Sequence, residues 1–129
     1  MILLGTASAV NFNLAGDTPI PVLLPAGYLV KSLLVGNLSA PAANSLNCGL
    51  YTGPGQTGTK LSSFGGSLRF PGGQTVTEIT TAAVGTTETA YPIESGSTLY
   101  VNVIAANGSP LTGDVWIFGE LWPPVLIRD

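Results

Sequence analysis

The sequence has no histidine and a single cysteine, and only 9% of its 129 residues are charged. Histidine is the commonest general base near neutral pH and the commonest metal ligand, so its absence rules out Ser-His-Asp and Cys-His catalysis. One cysteine, Cys48, permits no intrachain disulfide. A zinc site would have to be built from carboxylates alone, which is unusual. Set between Leu46 and Leu50, Cys48 reads as a small buried hydrophobe, and nothing here requires an oxidising compartment. Helices are missing as well. Gly or Pro interrupts nearly every window of about twelve residues, and strong helix formers are sparse.

Four basic and seven acidic residues leave a net charge of −3. Lys31, Lys60, Arg69 and Arg128 are scattered, so no basic stripe exists to neutralise phosphates or anionic lipid. Neither nucleic-acid nor membrane binding is expected. Among the acids, Glu78 and Glu88 lie in Thr-rich polar segments, and Asp17 and Asp114 follow glycines, where a short carboxylate bonds turn backbone. Glu120 lies between apolar neighbours. It reads as an exposed strand position, with Lys31 or Arg69 as the cations it would meet at an interface. No carboxylate pair stands out for glycoside hydrolysis. The run Thr52-Gly53-Pro54-Gly55-Gln56-Thr57-Gly58-Thr59-Lys60 has the wrong spacing for a phosphate loop, and no helix follows it. It reads as a hairpin loop. No enzymatic activity, catalytic residue, metal ligand or cofactor is expected.

A folded chain of 13.1 kDa exposes roughly 6,400 Å² of surface. With charges at about a third of the usual share, that surface must be Ser, Thr, Asn, Gly and apolar atoms. Such neutrality suits a protein whose faces are covered by neighbours better than one that must stay apart from its copies. The apolar opening is not read as a signal or a membrane span. Ile2-Leu3-Leu4 is short and follows no basic residue, and residues 20–38 contain Pro21, Pro25, Gly27, Lys31 and Asn37. Asn37-Leu38-Ser39 and Asn107-Gly108-Ser109 match the glycosylation pattern by chance on this reading.

What is present is a series of short β-branched and aromatic runs separated by turn residues. Strands are predicted at 9–14, 18–24, 28–38, 46–52, 59–64, 67–70, 74–80, 97–106 and 114–122, with a short one at 89–93. Val10, Phe12 and Leu14 are expected on one face of the first. The spacing predicts an all-β, jelly-roll-like sandwich of about eight antiparallel strands, with a closed barrel as the alternative. Residues 1–129 form one domain on this reading, with 1–8 and 123–129 as extended arms.

Three strands are apolar on both faces. In 28–38, Leu29, Leu33 and Val35 oppose Val30, Leu34 and Leu38. In 97–106, Leu99, Val101 and Val103 oppose Tyr100, Asn102 and Ile104. In 114–122, Val115, Ile117 and Leu121 oppose Trp116, Phe118 and Trp122. A sandwich strand in a monomer needs one apolar face. The second face predicts either a covering loop or terminus, or a subunit interface with Trp116, Phe118 and Trp122 at its centre and Leu126 and Ile127 in the tail.

Several segments carry a resemblance. They are Gly27-Tyr28-Leu29-Val30-Lys31-Ser32-Leu33-Leu34-Val35-Gly36-Asn37-Leu38-Ser39, then Cys48-Gly49-Leu50-Tyr51-Thr52-Gly53-Pro54 and Gly58-Thr59-Lys60-Leu61, and later Leu99-Tyr100-Val101-Asn102-Val103 and Gly113-Asp114-Val115-Trp116-Ile117-Phe118-Gly119. Over roughly residues 27–119 the chain resembles small tailed-bacteriophage virion proteins of the jelly-roll head decoration or cement type. The motifs are structural rather than catalytic. The resemblance implies a capsid decoration protein on the outer head surface of the virion, made in the bacterial host cytoplasm. It implies a homo-oligomer, with a trimer favoured, bound to the major capsid protein or another virion protein. A tail, baseplate or fibre component is the nearest alternative. A carbohydrate-binding sandwich, with Trp116, Trp122, Tyr28, Tyr51 and Tyr100 stacking on sugars, is the alternative from another class.

Overall fold

The computed structural model describes residues 2–24, 27–40, 42–65, 76–80, 93, 94 and 96–121. Eight strands are present among them: β1 (Ile2–Asn11), β2 (Gly16–Pro21), β3 (Tyr28–Gly36), β4 (Asn47–Tyr51), β5 (Lys60–Gly65), β6 (Val76–Thr80), β7 (Thr98–Ala105) and β8 (Thr112–Leu121). They form two four-stranded sheets, ordered β1-β8-β3-β6 and β2-β7-β4-β5. Every pairing is antiparallel. The pairs β1·β8, β2·β7, β3·β6 and β4·β5 nest inside one another along the chain, which is a hairpin of strand pairs rolled into a jelly-roll sandwich. The sheets do not close into a barrel.

The core lies between the sheets. Val10, Leu33, Val35, Val115 and Ile117 enter from the first sheet, and Ile20, Cys48, Leu50, Leu99, Val101 and Val103 from the second. Their alternation in sequence is what drives these runs into strands, because only a period of two puts all of them on one side. Phe12, fully buried just after β1, meets Phe64 edge-on with ring centroids 6.5 Å apart.

The chain departs from the predicted pattern in three places. Residues 2–8 are not an arm: they form most of β1, pair with β8, and send Leu4 and Ala7 into the core. Leu14 does not join Val10 and Phe12. The strand ends at Asn11, and Leu14 stands 67% exposed in the turn before β2. Leu29 and Leu33 are on opposite faces, because a bulge at Lys31 inserts one residue between Val30, opposite Gly119, and Ser32, opposite Phe118. The bulge brings the Leu29 carbonyl against Gly119 so closely that no side chain fits there.

Two of the edge strands, β2 and β1, are guarded. The Val22 N–H bonds the Ser97 carbonyl, so alternation turns the nitrogens of Pro19 and Pro21 towards the open edge of β2, where they offer no donor. Two register shifts interrupt β1. At the second, Ala9 takes a positive φ of 53° and donates its N–H to Asp114 Oδ1 at 2.8 Å. The predicted strand at 67–70, all of the predicted strand 89–93 but Ile93, which bridges Tyr28, and the tail 123–129 lie outside the described residues.

Candidate functional site

The two outer faces differ in how they are finished. On the second sheet, Asp17 of β2, Asn102 of β7 and Gly49 of β4 stand in one row. Asn102 donates from Nδ2 to Asp17 Oδ1 at 2.7 Å, and Asp17 Oδ2 accepts the Gly55 N–H at 2.8 Å. The carboxylate thus fastens the loop of residues 53–58 to the outside of the sheet. Gly49 has no side chain, and the Tyr51 ring lies in the space beside it, with Lys60 Nζ 6.0 Å from the ring centroid. Tyr51 is buried in consequence, and Asn102 is 5% exposed with its Oδ1 unpartnered. The Gly-rich run is the hairpin loop expected: Thr52 and Thr59 are joined twice, by Thr52 N–H to the Thr59 carbonyl and by Thr59 N–H to Thr52 Oγ1.

On the first sheet the outward row is apolar. Leu3, Phe118 and Ser32 lie side by side across β1, β8 and β3, and in the next row come Thr6, Trp116 and Leu34. Leu3 is 49% exposed, while Trp116, Phe118 and Leu34 are half-buried. At one end of this stripe Lys31 Nζ stands 4.0 Å from Glu120 Oε2, both side chains substantially exposed. Exposed pairs of this kind contribute about 0–1 kcal/mol to the fold. At the other end of β8, Asp114 accepts Asn37 Nδ2 at 2.8 Å besides the Ala9 N–H. The Asn37 amide and then the Ala9 N–H hold its carboxyl below the usual range.

Trp116 and Phe118 therefore share one outward face, as their spacing predicts. Trp122, Leu126 and Ile127 lie outside the described residues. Leu3, which the sequence places in an arm, completes the apolar row instead. Its signal is the run Ile2-Leu3-Leu4, too apolar for a free terminus. Lys31 enters the face because of the bulge, which no local residue pattern announces. Glu120 meets Lys31, one of the two cations named for it, but within the chain.

Of the five aromatics of the sugar-binding alternative, the four among the described residues do not gather on one surface, although Tyr51 and Tyr100 are cross-strand neighbours. Tyr28 is fully buried in the core. Burial pushes its pKa up to about 12, partly offset by the Ser97 side chain beside its hydroxyl. Tyr51 and Tyr100 belong to the outer face of the second sheet and Trp116 to that of the first. Cys48 is buried, and loss of solvent around the thiol pushes its pKa up to about 12. Both glycosylation-like asparagines have structural roles. Asn37 bonds Asp114. Asn107 is 1% exposed and ties two loops, accepting the Ala43 N–H at 2.7 Å and donating to the Ser109 carbonyl at 2.9 Å. Among the described residues, no three Cys, Asp or Glu side chains gather as a metal site would require. No family model matches the sequence, and no curated protein or solved structure shows significant similarity to it.

Proposed function

We propose that this protein is a structural subunit of a larger assembly, held in place by the apolar outer face of the β1-β8-β3-β6 sheet. One observation carries the reading: a continuous outward row of Leu3, Phe118, Trp116 and Leu34 on a chain otherwise sparing of charge. The other sheet roofs its outer face with Tyr51 and a latched loop, whereas this one leaves half-exposed aromatics of the kind that anchor interfaces. At the guarded edges of β1 and β2, contact by strand addition is disfavoured, which leaves the face as the better surface there. The resemblance to jelly-roll decoration proteins supplies the assembly: the outer surface of a tailed-phage head. There, many weak contacts add through multivalency, and no active site is needed.

The test is cosedimentation of the purified protein with tailed-phage head shells stripped of decoration, alongside Trp116→Ser and Phe118→Ser. Wild type should pellet with the shells. Each variant should keep its far-ultraviolet circular dichroism and stay in the supernatant. A wild type that pellets with no shell of a broad panel, or variants that pellet as wild type does, would defeat the reading.

A further inference from the structure

We propose that Asn107-Gly108 is a self-modification site, where the Gly108 backbone nitrogen converts Asn107 to aspartate or isoaspartate once a clasp of hydrogen bonds around it opens. The substrate is the chain itself and the co-reactant is water.

The chemistry begins with the dipeptide. The side-chain carbonyl carbon of an asparagine, Cγ, lies within reach of the next residue's backbone nitrogen, and their union closes a five-membered ring. A side chain on that next residue shields the nitrogen, and glycine has none. Of the seven asparagines in the chain, only Asn107 precedes a glycine. The backbone itself calls for glycine here, because residue 108 takes a φ of 92°. In the reaction the Gly108 nitrogen bonds to Asn107 Cγ and gives up its proton. The bond from Cγ to Nδ2 breaks, and the amide nitrogen leaves as ammonia with that proton. Water then opens the cyclic imide, giving its hydroxyl to one of the two carbonyl carbons and its proton to the nitrogen. Opening at Cγ leaves aspartate. Opening at the main-chain carbonyl leaves isoaspartate, with the chain running through the former side chain.

In the folded chain both reacting groups are held. Asn107 is 1% exposed. Its Oδ1 accepts the Ala43 N–H at 2.7 Å, and its Nδ2 donates to the Ser109 carbonyl at 2.9 Å and to Ser109 Oγ at 3.2 Å. To bring Cγ over the Gly108 nitrogen, the side chain must turn and give up these bonds. The Gly108 N–H, whose proton must leave, donates to Asn13 Oδ1 at 2.8 Å. The backbone between is fixed too: the Asn107 N–H bonds the Phe12 carbonyl at 3.0 Å, and the Asn107 carbonyl accepts Ser45 Oγ at 3.0 Å. The clasp thus joins three segments, the end of β1, the loop before β4 and the connection from β7 to β8. Gly108 is exposed, so water is at hand as soon as the clasp opens.

Neither product fits back. A carboxylate has no proton to donate, so an oxygen would face the Ser109 carbonyl where Nδ2 now bonds it. Its charge would also be buried without a cation beside it among the described residues. Isoaspartate adds a carbon to the main chain and carries Gly108 away from Asn13. Conversion therefore leaves this corner open, and the modified fraction records how often it has opened.

The experiment follows the full chain at mildly alkaline pH, folded and in urea. Peptide mass spectrometry reads the gain of about one dalton at Asn107, and enzymatic methylation of isoaspartate reads the second product. In urea, Asn107 should convert ahead of the other asparagines. Folded wild type should convert at least about tenfold more slowly. Folded Asn13→Ala, which frees the Gly108 N–H, should convert about fivefold faster than folded wild type, whereas Asn13→Asp keeps an acceptor there and should stay near the wild-type rate. Ser45→Ala, a second way to loosen the clasp at an exposed side chain, should also convert faster than wild type. Circular dichroism checks that each variant is folded. An unfolded chain that spares Asn107 would overturn the site. Folded wild type converting as fast as the unfolded chain, or Asn13→Ala and Ser45→Ala both as slow as wild type, would overturn the clasp. So would Asn13→Asp converting as fast as Asn13→Ala.

Discussion

The outer faces of the two sheets start from the same alternation and end differently. Both β7 and β8 turn large side chains outward: Tyr100 and Ile104 from β7, Trp116 and Phe118 from β8. On the second sheet the chain's own residues complete the surface, with Asp17 holding the loop at Gly55 and Tyr51 filling the place of a missing side chain at Gly49. On the first, the apolar row is left half-covered among the described residues, with one charge pair at its margin. Two-faced apolarity in a strand can thus be answered within the chain or left open. The difference lies in whether a polar residue is placed to fasten a cover.

Substitution of one glycine on each sheet tests that contrast. At Gly119 an added methyl would strike the Leu29 carbonyl oxygen, which is backbone held by the bulge and cannot yield. Gly119→Ala should lose about 3 kcal/mol, measured as a shift in denaturant midpoint. At Gly49 the methyl would meet the Tyr51 ring edge, 2.6 Å from Cε1, and a ring can swing outward. Gly49→Ala should cost about 1 kcal/mol and expose Tyr51 to solvent, visible as a change in tyrosine fluorescence. Equal losses at the two sites would show that the Tyr51 ring is held as firmly as the Leu29 backbone.

Asp17→Ala removes the latch itself. Asn102, whose Oδ1 already lacks a partner, would then lose the acceptor for its Nδ2, and Gly55 N–H would lose its own. A loss of about 1–2 kcal/mol is expected, with faster proteolysis in residues 53–58. An unchanged cleavage rate would mean that Asp17 does not hold the loop.

The smallest effect is at Asp114. Its carboxyl titrates below 3.8 in the folded chain, so the contribution to stability is complete above that value and is lost as pH falls through the folded pKa. Asp114→Asn should therefore be less stable than wild type near neutrality, and the gap should narrow in the acid range below about pH 4. A gap constant with pH would remove the carboxylate's charge from the account.

These sites also mark what the sequence could and could not show. Strands β7 and β8 were legible because eight to ten residues alternate without interruption, and their faces followed. The sandwich class followed from strand number and turn spacing. The face reversal at Leu29 was not legible, because a single inserted residue at Lys31 leaves no local signature. Asp17 was legible as a polar residue after glycine but not as a latch, since its partners Gly55 and Asn102 lie 38 and 85 positions away. Asn102 did carry a signal, a lone amide between Val101 and Val103 on an otherwise apolar strand. Residues 2–8 look like an arm in sequence because their ladder partner is the last strand, and long-range pairing leaves no mark on either segment alone.

That pairing has a consequence in time. Strand β8 sits between β1 and β3, and the bond from Ala9 to Asp114 spans 105 residues of chain. Among the described strands only β4 and β5 form a local hairpin. A chain emerging from its N-terminus would hold β1 and β3 ready with the slot between them vacant until the final strand arrived. The loop-closure cost comes before any contact offsets it, so folding belongs in the slow, millisecond-to-second range of non-local β topologies. In that interval the two unpaired ladders are open to any other chain, and the yield of native protein should fall as the concentration of nascent chains rises.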